Sequence, residues 1–406
     1  MIRKIEAQQL SAGMYVHKLG VSWLKHPFLT SRFLIDDPKD IAAIMAAGIQ
    51  EVWIDTDKGV DVGSRPETPP PVPEQTVSET ESPPAARPAA RGAARTSMRV
   101  ELAQAKKLCE AGKAQVASMF SDVRLGKVVS TAEALPLIEE ISASVLRNPG
   151  ALISVARIKT HDEYTYLHSV AVCALMVATA RRMGLDEQQV RQAGAAGLMH
   201  DLGKAMMPLE VLNKPGKLTD AEFMIMKSHP EAGWKALVEA GEKDAAVLDV
   251  VLHHHEKFDG SGYPHQLQGE QISLMARIGA VCDVYDAITS NRPYKSGWCP
   301  AESIQRMASW RGHFDEEVFK AFVRSVGIYP VGALVRTHTD KLAVVLEQGE
   351  FSMLKPTIRV FFSVRSNAPI APQIVDLAAP GCREKIAGIE NASQWGFENL
   401  ERFWMV

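Results

Sequence analysis

The chain has 406 residues, is 46% hydrophobic and carries a formal net charge of −3. That length supports two or three domains with real cores, and the charge excludes a global basic field that would attract long nucleic acid, so a phosphate-bearing ligand has to be held by a local cluster. No apolar run approaches the roughly 18–20 residues of a membrane span, the opening Met1-Ile2-Arg3-Lys4-Ile5-Glu6 lacks the apolar core of a signal peptide, and five dispersed cysteines without a Cys-x-x-Cys pair suit reduced thiols, so the chain reads as cytoplasmic and without a cysteine zinc site.

Residues 1–62 read as a small α/β domain. Ile5 and Gly13-Met14-Tyr15-Val16 mark short strands, Asp37 to Ala47 a helix stopped by Gly48, and Glu51-Val52-Trp53-Ile54-Asp55 alternates as a half-buried strand. Trp23, Phe28 and Phe33 are expected to fill its core. Residues 63–97 hold Pro69-Pro70-Pro71, Pro83-Pro84 and Ala/Arg runs with almost no large apolar side chain. Such a segment cannot offset its ordering entropy by burial, so a disordered linker is expected, extended where proline dominates.

Residues 98–148 read as a helical connector, with Met119, Phe120 and Val123, then Ile138, Ile141 and Val145, on helical faces. Asn148-Pro149-Gly150 breaks the chain before a helical body at 149–330. Within it the small, apolar stretch Ser169 to Met183 predicts a buried helix. From residue 331 to 406 the pattern turns β-rich, in Leu334-Val335-Arg336, Leu342 to Leu346 and Ile358 to Phe362, with Gly349 and Pro356 between. The expected fold class is mainly α, with a small α/β domain in front and a small β-rich extension behind.

The chemistry concentrates in the helical body. An apolar helix ends in Gly197-Leu198-Met199-His200-Asp201-Leu202-Gly203-Lys204. Adjacent helical residues point about 100° apart, so His200 and Asp201 reach one metal only near a helix end, or serve two neighbouring metals that the carboxylate bridges. Further candidates are His168, His229, the run His253-His254-His255-Glu256, and Asp283. Imidazole with carboxylate suits iron, manganese, zinc or nickel better than calcium. Six or seven such ligands exceed one tetrahedral site, and two cations about 3.5–4 Å apart form a known clamp for phosphoester hydrolysis. A lone histidine is more often a satisfied polar residue than a ligand, so the weight lies in the set. The second His-Asp pair, His161-Asp162, sits in a polar stretch without the apolar helix or the following Gly-Lys and reads as a decoy; His253 reads as a spacer.

The run His254-His255-Glu256-Lys257-Phe258-Asp259-Gly260-Ser261-Gly262-Tyr263-Pro264 resembles the signature of HD-GYP domains, a branch of the HD metal-dependent phosphohydrolases. Asn213 to Thr219, Met275-Ala276-Arg277-Ile278 and Thr289-Ser290-Asn291-Arg292-Pro293-Tyr294-Lys295 resemble the same family, in the same order, so the likeness covers about residues 150–330 through several long motifs. It implies an all-α HD-type catalytic domain that hydrolyses cyclic di-GMP, a bacterial second messenger, to linear pGpG and in some members on to GMP. It also places His168, His200, Asp201, His229, His254, His255 and Asp283 on metal-ligand positions, with Asp201 as the bridge.

By the same resemblance Lys204 approaches the scissile phosphate as a catalytic residue, Arg292 and Lys295 hold the substrate, and Tyr263 belongs to a loop beside the site. Some members carry a glutamate four residues before the first ligand histidine, which helps hold a third metal. Here that position is Tyr164, so a centre of two divalent transition metals, iron or manganese, is expected. Residues 1–62 resemble a domain often found before HD-GYP domains. The alternatives are an HD-type hydrolase of another cyclic dinucleotide and a non-catalytic module that binds one. A protein signalling partner at the N-terminal domain or the Gly-Tyr-Pro loop, and pairing as a homodimer, stay open.

Overall fold

The computed structural model describes residues 2–20, 33–35, 40–41, 44–45, 48–61, 96–158, 164–290, 297–349, 352–397 and 399–405. Two compact units divide the chain, Met1–Gly92 and Ala93–Val406. The first contains an antiparallel sheet of β1 (Ile2–Glu6), β2 (Tyr15–Leu19), β3 (Phe33–Leu34) and β4 (Glu51–Asp55), in the order β1-β4-β2-β3. Period-two alternation turns Val52 and Ile54 inward onto Ile5, Val16, Leu19, Ile35 and Ile44. Trp53 faces the other way, with the ammonium groups of Lys4 and Lys18 over its ring. Of the expected helix, Asp40, Ile41, Ile44 and Met45 are helical; the rest of it lies outside the described residues, as do Trp23, Phe28, the Phe33 side chain and most of the proline-rich linker.

The second unit opens with α1 (Met98–Arg124), α2 (Thr131–Arg147) and α3 (Pro149–Arg157). Glu101 of α1 is buried and accepts from Ser144 Oγ and from Arg147 Nε and Nη2, each at 2.8 Å. That carboxylate is affordable inside because it is paired and hydrogen-bonded. Next come α4 (Tyr164–Arg182) and α5 (Glu187–Met199), the latter started by a reciprocal Asp186–Gln189 capping box. The sequence of α4 is apolar around its circumference because other helices surround it: α1, α2, α3 and α5, and two later ones, Leu274–Thr289 and Glu316–Val326.

A 3-10 segment, Leu202–Met206, leads to α6 (Leu209–Leu212), α7 (Asp220–Met226), α8 (His229–Glu239) and α9 (Ala245–His253). After the Gly-Tyr-Pro loop follow α10 (Leu274–Thr289), α11 (Pro300–Ser309) and α12 (Glu316–Val326). No described helix is long and apolar enough to cross a membrane.

The C-terminal part is an antiparallel sheet of β5 (Leu334–Thr337), β6 (Lys341–Glu347), β7 (Thr357–Ser363), β8 (Ala368–Asp376) and β9 (Ile386–Ile389), ordered β8-β7-β6-β5-β9. Its buried face, including Val335, Val345, Ile358 and Val360, packs with Ala301 of α11. Arg157 Nη2 donates to Val331 O and Asn148 Nδ2 to Glu347 Oε1, both at 3.1 Å, which ties the sheet to the helical body. The whole is mainly α, with small sheets at either end.

Candidate metal centre

Glycine spacing brings the first two histidines together. Gly194 and Gly197 let α5 lie close on α4: a Cβ on Gly197 would come within 2.9 Å of the Cys173 backbone, and one on Gly194 within 3.1 Å of Val177 Cγ2. One turn later His200 closes α5, and its Nε2 lies 3.2 Å from Nε2 of His168 on α4. The chain then turns into the 3-10 segment, so Asp201 faces the same interior space despite being adjacent to His200. A second close approach supplies the next ligand. A Cβ on Gly203 would overlap the carbonyl oxygen of His229 and the backbone of Gly233. Without one, the Asp201–Lys204 turn packs directly on the start of α8.

The seven candidate ligands form two adjoining groups. His168, His200 and Asp283 make one; Asp201, His229, His254 and His255 make the other. Asp201 faces both. Its Oδ2 lies 3.5 Å from His168 Nε2 and 3.4 Å from His200 Nε2. Its Oδ1 lies 3.3 Å from His229 Nε2 and 3.8 Å from His254 Nε2. Asp283 likewise spans the groups, Oδ1 being 3.0 Å from His168 Nε2 and Oδ2 3.6 Å from His255 Nδ1.

Hydrogen bonds fix the histidine tautomers. A carbonyl oxygen only accepts, so the Nδ1 atoms of His200, His229 and His254 carry the protons they donate to Gly197 O, Met226 O and Val250 O, at 2.8, 2.8 and 3.0 Å. His168 Nδ1 donates in the same way to Asp286 Oδ2 at 2.6 Å. In its neutral form each of these four imidazoles therefore turns an Nε2 lone pair inward. His229 and His254 bring theirs within 3.3 Å of each other, and Asp201 Oδ1 is buried there without a hydrogen-bond partner among the described residues. Lone pairs and carboxylate oxygens crowded like this repel one another unless cations lie between them. The donor set, imidazole nitrogens with two carboxylates, fits divalent transition metals.

The electrostatics agree. Burial pushes the His255 imidazole down to about 3 and holds His254 well below its ordinary value, with neighbouring imidazoles adding to the effect. Burial also lowers His229. Burial opposes ionisation of Asp201 and Asp283, yet Lys204 and His200 hold the first well below the usual carboxylate range, and His168 and His255 hold the second there. Neutral imidazoles and ionised carboxylates are the forms that bind metal. His168 is the exception: burial opposes its charging, but Asp283 and Asp286 raise it.

Around this centre, Lys204 Nζ lies 2.6 Å from Asp201 Oδ2. The Tyr263 ring stacks on His255, with centroids 4.7 Å apart and planes 25° from parallel, and the Lys227 ammonium lies 5.1 Å from the Tyr263 ring centre. Arg292 and Lys295 lie outside the described residues, as do His161, Asp162 and the Tyr164 side chain. His253 is in neither ligand group. One supporting residue, Asp286, escapes a reading of the sequence, and one candidate ligand, Glu256, is in neither ligand group. Asp286 orients His168; its only signal is the i,i+3 spacing from Asp283 on α10. Glu256 is buried and accepts from His265 N at 2.7 Å and Leu267 N at 3.2 Å, which shapes the loop carrying Tyr263.

Residues 149–318 match the HD domain family, and residues 2–134 match a domain of unknown function (DUF3391). The chain is 52% identical, over 100% of its length and 96% of the other protein, to a cyclic di-GMP phosphodiesterase of Pseudomonas aeruginosa. It is 44% identical over 36% of its length to a cyclic di-GMP phosphodiesterase response regulator of Xanthomonas campestris, 39% of which is covered. Against a 3′3′-cGAMP-specific phosphodiesterase of Vibrio cholerae it is 34% identical over 47% of its length and 44% of that protein. The motifs at His200-Asp201 and Gly262-Tyr263-Pro264, the paired ligand groups and the likeness along the whole chain agree: the chain belongs to the HD-GYP family of HD-domain cyclic di-GMP phosphodiesterases.

Proposed function

We propose that this protein hydrolyses cyclic di-GMP at a centre of two divalent cations, held by His168, His200 and Asp283 on one side and His229, His254 and His255 on the other, with Asp201 between them. The observation that carries the proposal is Asp201, which turns one carboxylate oxygen toward each group of inward-facing imidazole lone pairs. When bound, the cations supply positive charge to the phosphate and acidify water towards neutrality.

The chain's own residues do the rest. Hydrogen-bonded Nδ1 atoms hold the imidazoles in their ligating orientation. Water adds to phosphorus, the bond from phosphorus to the 3′-oxygen breaks, and that oxygen leaves with a proton. Lys204 places an ammonium where the scissile phosphate would lie, and Arg292 and Lys295 take the ligand's phosphates or guanine edges, a task suited to the planar guanidinium fork. Tyr263 closes the side of the pocket formed by His255.

Iron or manganese is the proposed metal; imidazole and carboxylate ligands without thiolate are compatible with both. The HD match at 149–318 supports assigning catalysis to 149–330; the proposed division keeps 98–148 as connector, 331–406 as extension and 1–62 as a separate front module joined through 63–97. The deciding experiment is anaerobic purification followed by metal analysis and a product assay on one sample, with cyclic di-GMP and 3′3′-cGAMP as parallel substrates. Two equivalents of metal and conversion of cyclic di-GMP to pGpG or GMP are expected. A metal-loaded sample that binds cyclic di-GMP without cleaving it would reduce the protein to a receptor.

A further inference from the structure

His253 adjoins two candidate ligands without being one, and its side chain is fully engaged. Its Nδ1 lies 2.7 Å from Asp249 Oδ1, one turn earlier on α9. A carboxylate accepts, so Nδ1 carries the proton and Nε2 is left as an acceptor. The atom facing it, at 2.9 Å, is Nδ1 of His265, which therefore donates. On the far side, Asp249 Oδ2 accepts from the Ser273 hydroxyl, and Ser273 Oγ in turn caps α10 by accepting from Ala276 N. The result is a chain of hydrogen bonds with defined directions, running from the start of α10 through α9 to the loop.

His265 stands two residues after Tyr263 and is also held from the other side, because its backbone N donates to Glu256 Oε1. The residues immediately before and after the ligand pair His254-His255 thus grip the same loop residue, one through a side chain and the other through the backbone. Between these grips Tyr263 N donates to His255 O at 3.2 Å, and the Tyr263 ring stacks on the His255 imidazole. Leu267 N adds a bond to Glu256 Oε2 and Gly269 N one to Phe258 O; Gly260 has a positive φ, and a Cβ on Gly262 would overlap the backbone of Glu256 and Lys257.

We infer that Asp249, His253 and His265 form a latch that seats the Gly-Tyr-Pro loop, and are positioning residues that hold Tyr263 over the catalytic pocket. The kinetic part of this inference rests on the reaction proposed above; the structural part does not. One hydrogen bond of this kind contributes about 1 kcal/mol net, or roughly a fivefold change in the equilibrium between seated and released loop.

The test compares His265→Leu, which removes the donor, with His265→Asn, whose amide can donate from nearly the same place. His265 is exposed, so neither change threatens the core. Hydrogen exchange at the His265 and Leu267 amides, metal content, kcat and KM for cyclic di-GMP are measured on each. In His265→Leu, exchange at these amides is expected to rise about fivefold and kcat/KM to fall with the seated fraction, by a smaller factor, with metal content unchanged; His265→Asn recovers most of both. Native exchange in His265→Leu overturns the latch. Faster exchange with native kcat/KM overturns the positioning role. If the native chain fails to cleave cyclic di-GMP, the proposed reaction fails, and the exchange comparison still decides whether the latch exists.

Discussion

Lys204 Nζ lies 2.6 Å from Asp201 Oδ2, the oxygen turned toward His168 and His200. The two residues sit on one tight turn yet are expected to fail in different ways. Asp201 faces both ligand groups, so Asp201→Ala should lose bound metal and hydrolysis together. Lys204 is in neither group. Lys204→Ala should keep its metal and lose about 10²–10³ in kcat, the scale seen when a group stabilising transition-state charge is removed. Metal analysis beside single-turnover rates distinguishes the two. Native turnover in a metal-loaded Lys204→Ala protein would remove the lysine from the reaction.

Asp286 is predicted to act on metal through His168. Its Oδ2 accepts from Nδ1 at 2.6 Å and so keeps that proton on Nδ1 and turns Nε2 toward Asp201 and Asp283. Asn at this position would present an amide N–H as readily as a carbonyl and weaken that preference. Asp286→Asn should lower affinity at the metal held by His168, His200 and Asp283 by about 10- to 100-fold, with an unchanged far-ultraviolet dichroism spectrum. A competition titration with a chelator measures it. Unaltered affinity would mean that packing alone orients the imidazole.

Several candidate ligands are legible in the sequence because they lie in a recognisable setting: His200-Asp201 at the end of an apolar helix, His254-His255 ahead of the Gly-Tyr-Pro run, Asp283 within another apolar helix. Asp286 is not, because an aspartate on a helix reads equally well as a solvated side chain. The latch was less visible still. His253 was expected to be a spacer, and its partner His265 stands twelve residues on, in a loop with no periodicity to place it. The strands at 334–337, 341–347 and 357–363 were foreshadowed by β-branched and aromatic runs. Strand β8 was not. It contains Pro369 and Pro372 and is mostly exposed, a composition that argues against a strand anywhere but a sheet edge, which is where β8 lies.

Gly203 tests whether the close approach of two backbones sets the ligand geometry. The space a side chain would need is filled by His229 O and the Gly233 backbone. Backbone cannot move aside as a flexible side chain can, so Gly203→Ala should push the Asp201 turn away from α8. A destabilisation of about 1–3 kcal/mol is expected from overpacking, together with weaker metal binding at the group that includes His229. Urea unfolding of the metal-free protein and metal titration of the folded protein measure the two effects. A variant as stable as the native protein, with full metal affinity, would show that the contact is incidental.

The acid response of the metal-free protein should trace to His255. Burial pushes its imidazole from the ordinary 6.5 down to about 3 in the folded chain. Below pH 6.5 the unfolded chain takes up a proton at this position that the folded chain refuses, so the unfolded state gains and stability falls as the pH drops. The loss begins near the unfolded value and levels off only near the folded one, and by pH 5 it amounts to about 2 kcal/mol. Asp201 and Asp283, both depressed, add their own losses in the carboxylate range, below the window that His255 controls. His168 works in the opposite sense, because its raised value favours the folded state in acid. Replacing His255 by Gln removes one titration and leaves the others. Between pH 7 and pH 5, in excess chelator, the unfolding free energy of His255→Gln should therefore fall less steeply than that of the native protein. Equal slopes would mean that the folded imidazole titrates like the unfolded one, so that burial alone does not keep His255 neutral and its ligand-ready state has to be supplied by the metal itself.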